Sequence, residues 1–360
     1  MVEWKKLGDF AMLQKTKNRK HVTENAYSIT QEGLVPTKSF FKEKTNITSN
    51  DTSGYYIVEK DWFVYSPSRI DVGSISFLKD DGPVIVSPID VVFSIDKKVC
   101  LPSYLLNYFF TYQGRKDLLK NREGVEGTGR RSLPFSAIEN MLIPVPLLQE
   151  QEQIVKTFDT FTSSIENLKE QIVQRRKQYE YYRDQLLDLE GKPGVEMKTL
   201  GELSYKISSG RNKNKEDHGQ YPVFGSTGII AYTNSYLFDK PLILVARVGA
   251  NAGYVYMINE KCDVTDNTLI VETKEDNNRK FIYYYLVYMN INQFAKGGGQ
   301  PLITGGLLKD LLIPLPPLSE QQRIVTILDT FEASIHNLEQ QLAQREKQYE
   351  YYRNILLSFE

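Results

Sequence analysis

The chain has 360 residues, 41% of them hydrophobic and 25% charged, and a formal net charge of −1. That length allows two or more domains with real cores, and the near-neutral balance argues against a protein that is basic all over while permitting a local basic face. No stretch approaches the roughly eighteen apolar residues of a membrane span, the start Met1-Val-Glu-Trp-Lys-Lys lacks a signal-peptide core, and Cys100 and Cys262 lack CxxC spacing, so composition points to a reduced, cytoplasmic protein with no membrane partner.

Val2-Glu-Trp-Lys-Lys-Leu-Gly-Asp9 opens as a short strand, and Lys15-Thr-Lys17-Asn-Arg19-Lys20 follows it. Basic residues mixed with Asn and Thr on a loop can hydrogen-bond phosphates and reach base edges, although a solvated charge cluster has the same composition. The β-branched segments Val64-Tyr-Ser-Pro-Ser-Arg69-Ile and Val84-Ile-Val-Ser87-Pro-Ile-Asp-Val-Val-Phe93 read as strands and turns. Tyr104-Leu-Leu-Asn-Tyr-Phe-Phe110 suits a buried helix, and Gly127-Thr-Gly129-Arg130-Arg131 leads towards Leu142-Ile-Pro-Val-Pro.

From there the chain reads as a rod. Ile154, Phe158, Phe161, Ile165, Leu168, Ile172, Tyr179, Tyr182, Leu186 and Leu189 lie along one seam whose spacing averages about 3.5, which another helix buries best. The seam skips a position at Arg175, a polar interruption suited to fixing register. Some 40 helical residues at about 1.5 Å each make a rod of roughly 60 Å. The same stretch returns 170 positions later, with 29 of 50 residues from 141 to 190 identical to those from 311 to 360. Its second seam is Ile324, Leu328, Phe331, Ile335, Leu338, Leu342, Tyr349, Tyr352 and Leu356, with Arg345 at the skipped position. The tyrosines at 179, 181, 182, 349, 351 and 352 fit seam and helix-end packing better than a base-stacking platform. Prolines 144, 146, 314, 316 and 317 stop any helix arriving from upstream, and Ser319-x-x-Gln322 resembles a capping box. Each rod could instead pack on its own domain, but two matched seams in one chain favour an intramolecular coiled coil.

Between the rods, Glu190-Gly-Lys-Pro-Gly194 reads as a linker, and Val195-Glu-Met-Lys-Thr-Leu-Gly-Glu202 echoes the opening strand. A second basic loop, Lys206-Ile-Ser-Ser-Gly-Arg211-Asn-Lys213-Asn-Lys215, follows at the matching place. Leu244-Val-Ala-Arg247-Val echoes the segment around Arg69, Val264-Thr-Asp266-Asn-Thr-Leu-Ile-Val271 echoes Val84 to Phe93, and Phe281-Ile-Tyr-Tyr-Tyr-Leu-Val287 is a second buried helix. Arg69, Arg130, Arg131 and Arg247 sit among turn residues, where arginine can grip guanine or phosphate; Arg69 and Arg247 fit a buried structural role equally well. Gln300, after Gly297-Gly-Gly299, suits adenine.

Catalytic chemistry is missing. No Asn/Asp-Pro-Pro-aromatic motif, glycine-rich methyl-donor turn or P-loop occurs, and His21, His218 and His336 offer neither triad nor metal spacing. Glu3-x-Lys5 and Glu196-x-Lys198 are half a nuclease signature without its preceding acid, and Gly297-Gly-Gly299 follows no strand motif that would make it a phosphate cradle.

The Ile-Pro-x-Pro-x-Leu-x-Glu-Gln block, at 143–151 and again at 313–321, and the two Tyr-Tyr-Arg helix ends give a resemblance over the whole chain to the specificity subunits of Type I restriction–modification systems. The resemblance implies an α+β fold: two pseudo-twofold-related α/β target-recognition domains (1–141 and 195–311) separated by an antiparallel coiled coil of two long helices (142–190 and 312–360), with 191–194 as linker. It implies double-stranded DNA, two adenine-methyltransferase subunits and restriction/translocase subunits as partners. S-adenosylmethionine, ATP and Mg belong to those partners, and the chain itself has no cofactor, metal or catalytic residue. Each recognition domain then reads half of a bipartite, asymmetric site. The competing class is a coiled-coil scaffold that presents two domains to protein partners.

Overall fold

The computed structural model describes residues 2–40, 51–120, 122–124, 131–212, 216, 218–297 and 299–359. It divides into two compact units, residues 1–169 with 340–360 and residues 170–339, so each unit takes a stretch from both rods.

In the first unit, Glu3–Lys6 pairs antiparallel with Leu142–Val145. Next to it lies a four-stranded antiparallel sheet in the order Ala11–Gln14, Val91–Ile95, Phe63–Tyr65, Ile75–Phe77. The helices Pro102–Phe109 and Tyr112–Lys120 cover one face of it. Phe63 stacks on Phe93 at 4.8 Å between centroids and meets Phe109 edge-on, which gives the core its aromatic centre. The close approach of the two helices requires Gly114, in the first turn of the second, because a Cβ there would sit 2.0 Å from the Tyr108 carbonyl oxygen.

The second unit repeats this plan. Glu196–Thr199 pairs with Leu312–Leu315, and the sheet runs Ser204–Ser209, Thr268–Thr273, Leu242–Ala246, Val255–Ile258. The helix Arg279–Tyr288 packs on it. Strand order and direction match although the recognition sequences echo each other only faintly.

The long helices span Leu148–Leu187 and Leu318–Leu356. The ranges 142–190 and 312–360 expected as helix therefore begin with strand: Pro144 and Pro314 sit within the short strand pairs, Pro146 and Pro316 directly after them, and none has the N–H a helix interior needs. Ser319 does not act as a cap. It lies inside the first turn, and the Glu320 and Gln321 N–H groups donate to the Pro317 carbonyl instead.

Within each unit the two helical stretches run antiparallel. In the first, Phe158 meets Tyr349 at 5.8 Å, and Phe161 lies against Tyr349 and Tyr352 at 6.0 and 5.5 Å. In the second, Tyr179 and Tyr182 lie against Phe331 at 6.4 and 5.4 Å. The skipped seam positions hold stacked cations: Arg345 lies over Phe161 and Arg175 over Phe331, at 5.7 and 5.8 Å. Such contacts contribute roughly 0.5–1 kcal/mol at exposed sites, so the interruption is filled by the arginine itself. Phe158, Ile165, Ile172, Ile324 and Leu328 are buried. Ile154, Phe161, Leu168, Tyr179, Leu186, Phe331, Ile335, Leu338, Leu342, Tyr349 and Leu356 are half-buried, as two helices alone leave a seam, and Tyr182 and Tyr352 remain exposed. Buried Leu357 joins the first unit's core, and buried Leu187 and Leu189 join the second's.

Candidate nucleic-acid interface

Sheet register decides which loops meet. In the first unit Gln14 is opposite Val92, and Tyr65 is opposite Val91. The segments after Gln14, after Tyr65 and before Val91 therefore emerge at one sheet end. This brings Lys15, Lys17, Arg19 and Lys20 to the same edge as Arg69 and the Ser87-Pro-Ile-Asp90 turn.

The basic loop is held from within. Asn18 is fully buried, its Oδ1 accepting from the Val22 N–H at 2.8 Å and its Nδ2 donating to the Thr23 carbonyl at 2.9 Å. The Asn18 N–H donates to the Tyr55 carbonyl at 2.9 Å. Around this anchor the four cations are exposed, and among the described residues none of them forms an ion pair. Arg69 is exposed too, and its backbone caps the turn Ile70–Val72. Arg122, which sequence reasoning missed, braces that turn through Asp71 at 3.2 Å and the Ser68 carbonyl at 3.4 Å. Arg131 pairs with Gly124 in a short strand pair, and the bond from the Leu133 N–H to the Pro67 carbonyl (3.1 Å) ties that segment to the same loop. Arg130 lies outside the described residues. In the Ser87-Pro-Ile-Asp90 turn Ile89 stands 75% exposed, while burial pushes the Asp90 carboxyl up to about 7.

The second unit builds the equivalent edge from different side chains. Ser209 pairs with Leu269 and Ala246 with Thr268, so Arg211 and Arg247 emerge together. Gly210 lets the chain pass close to its neighbour, since a Cβ there would lie 2.2 Å from the Val264 carbonyl oxygen. The Arg211 and Asn212 N–H groups both donate to that carbonyl. Arg247 is half-buried, with Nη1 donating to the Asp266 carbonyl at 3.3 Å. The Gly249 N–H donates to the Pro301 carbonyl, which brings exposed Gln300 to this edge.

Lys206 is placed elsewhere. It is a strand residue opposite Glu272, several residues before the sheet end, on a cleft of about 340 Å³ that it shares with Arg211, Asp239 and Lys240. Lys213 and Lys215 lie outside the described residues. The register also corrects the pairing of the two arginines: the Ile303 N–H donates to the Arg247 carbonyl as the Leu133 N–H does to that of Pro67, so Arg247 matches Pro67 and Arg69 lies two residues further on.

A matched pair of glutamines joins each sheet domain to its rod. Gln151 is fully buried; its Oε1 accepts from the Leu101 N–H at 2.8 Å, and its Nε2 donates to the Val99 and Pro146 carbonyls at 3.0 and 2.9 Å. Gln321 does the same with the Asn278 N–H at 3.1 Å and the Pro316 carbonyl at 2.8 Å. Their identity in both copies of the block was the available signal. Cys100 and Cys262 are buried free thiols, and burial pushes both up to about 12. No helix among the described residues is long and apolar enough to cross a membrane.

Sheet and site together define a duplicated protein with two basic-edged β domains, each docked on paired helices. The chain belongs to the family described as the Type I restriction modification DNA specificity domain, which matches residues 1–175 and 193–346. It is 30% identical over 230 residues to the specificity subunit of the Escherichia coli type I restriction enzyme EcoprrI, covering 58% of this chain and 56% of that relative. The chain thus spans little more than half the length of that relative. A second Escherichia coli type I restriction enzyme specificity subunit is 27% identical over 399 positions, covering 99% of this chain and 94% of the relative. Among solved structures, the S subunit from M. genitalium superposes with a TM-score of 0.65 at 15% identity, covering 100% of this chain and 97% of that one. The HsdS subunit from Thermoanaerobacter tengcongensis gives 0.51 at 18%, with 99% and 96% covered. At these identities the likeness concerns the fold.

Proposed function

We propose that the chain is the non-catalytic specificity subunit of a Type I restriction–modification complex, and that each sheet edge reads one half of a bipartite DNA site. The observation that carries this is the pair of topologically equivalent edges built from different side chains. The first offers Lys15, Lys17, Arg19, Lys20 and Arg69; the second offers Arg211, Arg247 and Gln300. Equivalent placement supports a shared task, and different side chains support different half-sites and a non-palindromic target. The paired helices set the half-site spacing, expected near one helical turn, roughly 34 Å. They also dock two adenine-methyltransferase subunits, which together with restriction/translocase subunits supply the S-adenosylmethionine, ATP and Mg chemistry.

The test is salt-dependent binding of duplex DNA by the assembled complex. Affinity should fall steeply with salt, with a slope set by the number of phosphates bound. Binding to DNA that does not respond to salt would count against the reading.

A further inference from the structure

The first unit contains a cleft of about 650 Å³ between the helix Tyr112–Lys120 and the end of the second long helix. Arg353 forms its floor, its guanidinium 5.8 Å from the Phe110 ring centroid and 5.3 Å from that of Tyr349. The Nε of Arg353 is buried and makes no hydrogen bond among the described residues. Arg115 and Lys116 line the same cleft, with Glu350 the one acidic group among the lining residues. Arg115 donates to the Asp71 carbonyl, which neutralises nothing. Among the described residues, Arg115, Lys116 and Arg353 form no ion pair. The apolar wall is Tyr112, 75% exposed, and Leu119.

The duplication supplies an internal comparison. At the position matching Arg353 the first helix has Arg183, followed by Asp184, and Arg183 binds that carboxylate through Nε at 2.8 Å and Nη2 at 2.7 Å. The second helix has Asn354 there, and its Oδ1 accepts instead from the Tyr112 N–H at 2.7 Å. One substitution therefore removes the arginine's carboxylate and anchors the helix that forms the cleft wall. Where the first unit has Tyr112–Lys120, the second has the short turn Ile291–Phe294, so the cleft is built once.

We propose that this cleft binds one small organic anion per chain, a carboxylate or phosphate on a flat apolar body, independently of the DNA edges. The anion meets the guanidinium of Arg353, Arg115 and Lys116, taking the place of the missing Asp184 equivalent, and the body lies against Tyr112 and Leu119. A volume of this size falls within the usual range for small-molecule sites, roughly 300–1,000 Å³. Burial also holds the Arg353 pKa below its ordinary value, so a bound anion relieves a desolvated cation.

Calorimetric titration of the full chain with phenyl phosphate and with benzoate tests this. Saturable binding at one site per chain is expected for at least one probe, and the tighter of the two identifies the anion. Lys116→Glu, a rim change that spares the core, should weaken binding by roughly tenfold or more, the equivalent of one charge-assisted hydrogen bond. Arg353→Gln should do the same, and Arg183→Gln should have no effect. Absence of saturable binding of both probes at millimolar concentration overturns the proposal. So does binding that survives Lys116→Glu, or that is abolished instead when Lys15 and Lys17 are replaced by Ala.

Discussion

Replacing Gln151 by Ala should loosen the junction between the first sheet domain and its helix. The side chain is fully buried and satisfies the Leu101 N–H and the Val99 and Pro146 carbonyls at 2.8–3.0 Å. A buried polar group left without a partner costs about 1–3 kcal/mol, and water entering the vacated space recovers part of that, so a loss of roughly 3–5 kcal/mol is expected. Gln321→Ala removes two such bonds and should cost about two-thirds as much. Gln151→Glu should be worse than Gln151→Ala, because it turns two donors into acceptors facing carbonyls and buries a charge. Hydrogen exchange at graded urea reads the effect locally: the Leu101 amide should lose protection in Gln151→Ala while the helix Arg279–Tyr288 keeps it. A cost below about 1 kcal/mol, or equal loosening of both units, would refute the clamp.

Three further outcomes follow from the same geometry. Changing Lys15, Lys17, Arg19 and Lys20 together to Ala should weaken DNA binding and flatten its salt dependence by about one unit of slope for each phosphate no longer bound; an unchanged slope would make the loop a solvated surface. Burial raises the Asp90 carboxyl to about 7, so the folded state holds its proton more tightly than the unfolded chain does. Stability should therefore fall as pH rises from about 4 to about 7, by roughly 4 kcal/mol at most, and Asp90→Asn should abolish that slope in urea titrations at graded pH. A fragment of residues 1–190 lacks the stretch 340–360, whose Tyr349 and Tyr352 pack on Phe158 and Phe161, and sedimentation should show it as a homodimer, which would read a symmetric site. Glu at Ile165 and Leu168 should break that dimer, and a stable folded monomer at micromolar concentration would contradict the seam.

The rods were legible because a seam of period 3.5 repeated twice is a local signal, whereas their starts were set too early, at 142 and 312 instead of Leu148 and Leu318, because the strand before each helix pairs with a segment more than a hundred residues away. Strand pairing is not local. The positions of Lys15, Arg69, Arg211 and Arg247 depend on registers between segments up to about eighty residues apart, which no window of sequence encodes. Lys206 was misplaced for that reason: it reads as part of a basic loop, while Ser204–Ser209 continues as strand to the glycine that ends it. Arg175 and Arg345 showed a gap in the seam, but composition cannot show a guanidinium folded over a phenylalanine. Gln151 and Gln321 look like surface residues until their backbone partners are known.

The most direct measurement is sequencing of modified adenines in cells that carry this chain with its methyltransferase partner. It should return a bipartite motif whose halves differ. Exchanging residues 11–133 for the corresponding segment of another specificity subunit should change one half and leave the other and the overall layout intact. A single continuous motif, or an exchange that alters both halves at once, would contradict independent readout by the two sheet edges.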